Sequence, residues 1–86
     1  MSTIKGFAVV EHDDAGIIHQ VIVFPPEEKT QAYDKGRELI VEYFNEEAKN
    51  AEDEVDENEK YEATLEFKKH GTWVGYDHSV TIIETV

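Results

Sequence analysis

One stretch, Pro26–Asn50 (PEEKTQAYDKGRELIVEYFNEEAKN), carries its apolar residues at helical spacing, and the chain on either side of it reads as β-structure. Ala32, Gly36, Leu39, Ile40, Tyr43 and Phe44 fall on one broad stripe, the period of a surface helix laid on a core. That pattern limits the fold to one in which a long helix covers something flat and apolar. The opposite face carries Asp34, Glu38, Glu42 and Glu46 at successive i, i+4 positions. Like charges at that spacing cost a helix about 0.2–0.5 kcal/mol per pair. Lys35 and Lys49 flank the row and soften the repulsion. A row built against local preference is a candidate functional surface, and a solvated acidic face is the plainer reading.

What precedes the helix reads as a hairpin. Ile4–His12 (IKGFAVVEH) and Ile17–Phe24 (IIHQVIVF) are rich in β-branched and aromatic residues, and Asp13–Gly16 (DDAG) between them supplies turn chemistry. Pro25-Pro26 ends the second strand, because proline cannot donate to a ladder. Pro26 suits a first helical position, with Glu27 and Glu28 complementing the helix dipole. Thr30 is an alternative cap one turn later. Gly36 weakens a helix interior by about 1 kcal/mol, so on the buried stripe it implies close approach of the helix backbone to a strand.

After the helix, Glu46–Glu62 (EEAKNAEDEVDENEKYE) holds nine carboxylates and two lysines, with a thin apolar stripe. It reads as an acidic connector at about 50–60 that extends the helix, frays, or stays disordered. Tyr61, Ala63, Leu65 and Phe67 then alternate with polar residues, a strand pattern with one wet face. His70-Gly71 marks a turn. The closing run Thr72–Thr85 puts Val74, Tyr76, His78, Val80 and Ile82 on one side, with Gly75 as a bulge candidate.

The expectation is therefore a single α+β domain over residues 1–86. Two β-hairpins are joined by one long amphipathic helix (ββαββ), giving a four-stranded antiparallel sheet with the helix on one face. Gly16 and Gly75 each open a short echo, G-x-x-H-x-V-x-[IV], consistent with a duplicated hairpin or with chance.

Composition narrows the function classes. A chain of 86 residues buries only about 60% of its unfolded surface, so self-association would add useful burial. Without cysteine there is no disulfide, thiolate metal site or cysteine nucleophile. The opening MSTIKGFAVV reads as neither a signal peptide nor a membrane span, and the expected compartment is the cytoplasm. A net charge of −12, from 20 acids against 8 bases, argues against direct nucleic-acid binding and for a basic protein partner. A halophile's solvating acid excess is a lesser alternative.

No catalytic constellation is legible, and no cofactor or metal is implied. The histidines form two sequence pairs, His12 with His19 and His70 with His78, with Asp13, Asp14 and Asp77 nearby, but the spacing is no known ligand signature. Asp53–Glu59 lacks the glycine and spacing of a calcium loop. His19, His78 and Asp77 are the first suspects were the protein an enzyme. The expectation is instead a non-enzymatic acidic binding protein. Its partner-binding residues would be Asp34, Glu38, Glu42 and Glu46 on the helix, followed by Glu52, Asp53, Glu54, Asp56 and Glu57.

If Glu46–Glu62 were one helix, its nine carboxylates would average about one per 3 Å, near the charge spacing of one DNA strand. That points to a nucleic-acid mimic blocking the basic groove of a DNA- or RNA-binding protein. The likeness to compact acidic inhibitors from phages and mobile elements is in size and charge alone. The alternative is a sheet-mediated homodimeric module, because both registers of the first two strands are apolar: Ile4, Ala8 and Val10 against Phe7 and Val9, and Ile17, Val21 and Val23 against Ile18, Ile22 and Phe24. Something must cover the second face, and Phe7, Val9, Trp73 and Ile83 are the candidate self-association residues.

Overall fold

The computed structural model describes residues 5–85, so the candidate face residue Ile4 lies outside the described residues. The elements run β1 (Gly6–Asp13), β2 (Ile18–Phe24), a short 3-10 turn (Pro26–Glu28), α1 (Lys29–Asn50), α2 (Glu57–His70), β3 (Thr72–Val74) and β4 (His78–Thr85). All strand pairs are antiparallel, in the order β2-β1-β4-β3. This is the expected α+β class with its four-stranded sheet and long helix. The difference lies in the connection, where a second helix stands at Glu57–His70 in place of the strand read over 61–68.

The first hairpin turns on Asp13. Its Oδ1 accepts the backbone N–H groups of Ala15 at 3.0 Å and Ile17 at 2.9 Å, and Gly16 takes a φ of 83° that a side chain would resist. A bulge between Glu11 and His12 then shifts the register of β2 by one residue. From Glu11 onward toward the open end, Gln20, Ile22 and Phe24 share a face with Glu11, Val9 and Phe7. Val21 and Val23 point the other way, together with Ala8 and Val10.

The helices cover the face of Phe7 and Val9. The core comprises those two residues with Ala32, Leu39 and Ile40 from α1, Ala63 and Phe67 from α2, and Trp73 and Val80 from the second hairpin. Tyr43 and Phe44 pack at its edge, so the whole predicted stripe of α1 faces inward. Gly36 does mark a close approach, but to the ring of Phe67 on α2 and not to a strand. A Cβ at Gly36 would overlap that ring.

Each helix carries its own punctuation. α1 ends in a Schellman motif: the N–H of Glu52 reaches the Lys49 carbonyl at 3.2 Å and that of Asp53 reaches Ala48 at 2.9 Å. Glu52, with φ 54°, occupies the left-handed position that glycine usually fills. α2 begins with Asp56, whose Oδ1 accepts the Glu59 N–H at 3.1 Å. It finishes at Gly71, with φ 72° and its N–H on the Phe67 carbonyl at 2.8 Å.

The second hairpin closes at Gly75, whose N–H bonds the His78 carbonyl at 2.7 Å. This turn reverses the parity expected of an unbroken strand. Trp73 pairs with Val80 on the inner face, and Val74 pairs with Ser79 on the outer one. The two G-x-x-H echoes fall on β2 and β4, the second strand of each hairpin, yet Val80 is fully buried while Val21 is half exposed. Among the described residues no helix is long and apolar enough to cross a membrane.

Candidate functional site

Beyond residue 50 the chain reverses through Ala51–Asp56, and α2 returns along α1. The C-terminal part of α1, the reversal, α2 and the β3–β4 turn thereby enclose an open groove of about 630 Å³. Its floor is aromatic. Tyr43 and Phe44 come from α1 and Trp73 from β3, with ring centroids 5.5–5.7 Å apart pairwise. Tyr76, 95% exposed, stands at the lip.

The walls are acidic. Glu47 comes from α1, Asp53, Glu54 and Asp56 from the reversal, and Glu59, Glu62 and Glu66 from α2 at helical spacing. Among the described residues no lysine, arginine or histidine lines the groove. A concave surface with aromatic faces below and carboxylates around can hold an ammonium or guanidinium group by cation–π attraction and by charge-assisted hydrogen bonds.

The nine candidate partner-binding residues divide. Asp53, Glu54 and Asp56 line the groove, whereas Glu52 and Glu57 lie beside it on the reversal and at the start of α2. Asp34, Glu38, Glu42 and Glu46 are all exposed along α1, but they are not electrostatically alike. Asp34 is paired with Arg37, and Glu38 with Lys35 at 3.4 Å. Asp34 also borders a second hollow lined by Lys29, Arg37 and Lys68, so that end of α1 is not an acidic surface. Among the described residues no ion pair involves Glu42 or Glu46.

The continuous helical array imagined over Glu46–Glu62 is absent, because the helix breaks at Asn50 and restarts at Glu57. Its carboxylates face one another across a groove and do not follow a line. Glu47, Glu59 and Glu62 belong to that nine-carboxylate array, whereas Glu66, which also lines the groove, lies outside it. Asp56 with Glu59 has the D-x-x-E signature of a helix start, and Asp56 accepts the Glu59 N–H.

Of the candidate self-association residues, Phe7, Val9 and Trp73 are 3%, 0% and 6% exposed beneath the helices. Ile83, 48% exposed, lies on the other face. The structure therefore separates these four. The outer surface carries Ala8, Val10, Val21, Val23, Val74 and Ile83, with His12, Thr72, Ser79 and Thr81 among them.

The histidines regroup across the fold. His19 and His78 approach to 5.9 Å between ring centroids, while His70 is exposed at the end of α2 and His12 contacts the Asp13 carbonyl. His78 stacks on Tyr43 at 4.7 Å with the rings 3° from parallel, and its Nε2 lies 2.9 Å from a Glu11 carboxylate oxygen. Tyr43 donates its hydroxyl to Asp77, which ties α1 to the second hairpin turn. Burial, followed by the Asp77 carboxylate, pushes the Tyr43 phenol well above its ordinary range.

On the other side His19 meets Asp13 at 3.2 Å. The Ile17 N–H holds the Asp13 carboxyl below the usual carboxylate range; burial opposes this, and His19 and Ala15 add to the lowering. His78 and Asp77 thus meet at Tyr43, while His19 lies beside His78 and contacts Asp13. The polar contact of His78 is to Glu11 and its ring packs on Tyr43, an arrangement that fixes the end of α1 on the sheet. Among the described residues no group of three or more acidic or histidine side chains is placed to hold a metal ion. No protein-family model, curated protein or solved structure matches the chain.

Proposed function

We propose that the protein is a non-enzymatic acidic binding protein that takes a basic segment of a partner protein into the groove between α1, α2 and β3. The observation that carries this reading is the lining of the groove: seven carboxylates around an aromatic floor, with no cationic residue among them. A folded chain with 8 basic residues available would lower its own repulsion by placing one there. A lysine- or arginine-rich segment supplies that missing charge. The surrounding acidic surface of Glu42, Glu46 and Glu52 steers the encounter. Where the partner's basic surface also binds DNA or RNA, occupancy of the groove excludes the nucleic acid, and the protein acts as an inhibitor.

The test begins with titration of oligoarginine and oligolysine peptides, followed by the fluorescence of Trp73, the sole tryptophan. Saturable binding that weakens steeply with salt and is lost in a Glu59→Lys, Glu62→Lys, Glu66→Lys variant supports the proposal. Reversal of Asp34 and Glu38, which are already paired, should change it little. A pull-down at low salt, repeated at high salt and with added DNA, identifies the partner. Binding indifferent to the α2 reversals sinks the groove, and failure of DNA to compete sinks the inhibitor role. A module working through its sheet is a second reading, favoured by the uncovered outer face, and it concerns a different surface.

A further inference from the structure

The molecule is a slab of 50 × 25 × 16 Å with both helices on one side of the sheet. The other side is bare. Val23 and Val74 are each 70% exposed on the two edge strands, with Val21 and Ile83 at about half, and Ala8 and Val10 lie between them. In a chain that is 33% charged, no outward-facing strand position carries a carboxylate. Glu11, Asp13 and Glu84 all have the parity of the covered face.

We infer that this face is a homodimer interface, in which two copies pack sheet against sheet about a two-fold axis. Three observations select a second copy as the occupant. First, the face is rich in β-branched residues and carries no carboxylate; its polar members are His12, Thr72, Ser79 and Thr81. It therefore offers no acidic anchor to a basic partner, and two such faces can pack against each other as in a β-sandwich.

Second, two chains of charge −12 repel, and this is the approach that keeps their acidic surfaces farthest apart. Sheets pack about 10 Å apart and each helical layer adds about 10 Å. The acidic helices would then stand roughly 30 Å from one another, nearly four Debye lengths of about 8 Å at physiological salt. Third, the area suffices for a reversible dimer. At about 3.3 Å per residue and 4.8 Å per strand the four strands project roughly 400 Å². With side-chain relief two copies would remove on the order of 1,000 Å², the lower limit for a specific interface.

Sedimentation velocity from about 1 to 500 μM at 150 mM salt tests the inference. The wild-type chain should pass from its 9.9 kDa monomer to twice that mass. Val23→Lys and, separately, Ile83→Lys should hold it monomeric across the range while leaving the far-ultraviolet circular dichroism unchanged, because both sites are exposed in the monomer. Added chloride should strengthen the dimer. A wild-type monomer at 500 μM overturns the inference. So does a dimer that survives both lysine substitutions, which would instead pair through the free edge of β2. A dimer lost with either variant while the variant remains folded supports it.

Discussion

The ring of Phe67 lies directly over Gly36, so that the two helices touch through an aromatic face and a bare backbone. Phe67 is fully buried. Helix propensity alone would make Gly36→Ala stabilising by about 1 kcal/mol. Packing reverses the sign, because a Cβ there must displace a ring that has nowhere to go, and overpacking of this kind costs about 1–3 kcal/mol. The expected outcome is a lowered thermal midpoint for Gly36→Ala, measured by circular dichroism. Adding Phe67→Leu should recover part of that loss, since the two positions are in contact and their effects should not add. A stabilised Gly36→Ala protein would show that the helices are not in this contact.

The spacing of the buried residues of α2 explains why the segment reads as a strand in sequence. Ala63 and Phe67 are four residues apart, a spacing that satisfies both a period of two and one turn of helix. With Tyr61 and Leu65 between and before them the segment imitates a half-buried strand. The structure leaves Tyr61 64% exposed and buries only Ala63 and Phe67, which is the helical pattern. The decisive signs were at the ends: Asp56 with Glu59 at the start, and Lys68, Lys69 and His70 followed by Gly71 at the finish. α1 was legible because its stripe runs over three turns, and the first hairpin because its turn residues interrupt two unmistakable β-runs. The groove was not legible, since it exists only once α2 folds back on α1. The outer face was half legible. The surplus of apolar residues showed in sequence, but the bulge at Glu11/His12 and the turn at Gly75 decide which of them face outward.

Glu52 holds a left-handed conformation at the end of α1 that glycine adopts without strain. The two hydrogen bonds of the Schellman motif are already present, so a substitution need alter only the backbone preference. Glu52→Gly should stabilise the protein by about 0.5–1 kcal/mol, a rise of roughly 2–8 °C in a domain of this size. Glu52→Ala separates conformation from charge. It removes the same carboxylate but keeps the strained residue, and should give distinctly less. Equal effects of the two would assign the gain to charge.

Stability at high pH should depend on Tyr43. Its phenol is raised by burial and by the hydrogen bond to Asp77, so the protonated form is favoured in the folded state. A group whose folded pKa lies above its unfolded value contributes stability that is complete below the unfolded value, about 10 for tyrosine, and that is lost as pH rises beyond it. The difference in unfolding free energy between the wild type and Tyr43→Phe should therefore be constant from pH 7 to 9 and shrink above about 10. Comparing the two proteins removes the contribution of lysine titration. In the native protein, absorbance at alkaline pH should show one of the four tyrosines ionising after the others. A difference that grows above pH 10 would contradict the assigned contact.

The acidic groove opposes folding, and moderate salt should therefore raise stability. Glu59, Glu62 and Glu66 face Glu47 and the carboxylates of the reversal with no cation between them. Salt also weakens the attractive pairs, but the pairs of Asp34 with Arg37, Lys35 with Glu38 and Lys60 with Glu57 are local i, i+3 pairs in which the carboxylate is exposed. Such pairs are worth at most about 1 kcal/mol and often nothing measurable. Repulsion summed over the groove and a net charge of −12 is the larger effect. Raising sodium chloride from about 20 to 300 mM shortens the Debye length from roughly 20 to 6 Å, and the melting temperature should climb by several degrees. Chloride is the appropriate anion, because sulfate would strengthen apolar burial irrespective of charge. The Glu59→Lys, Glu62→Lys, Glu66→Lys variant supplies the internal control. It should melt higher than the wild type at low salt and respond less to added chloride. If the wild type is unaffected or destabilised by salt, the groove carboxylates are not mutually repelling.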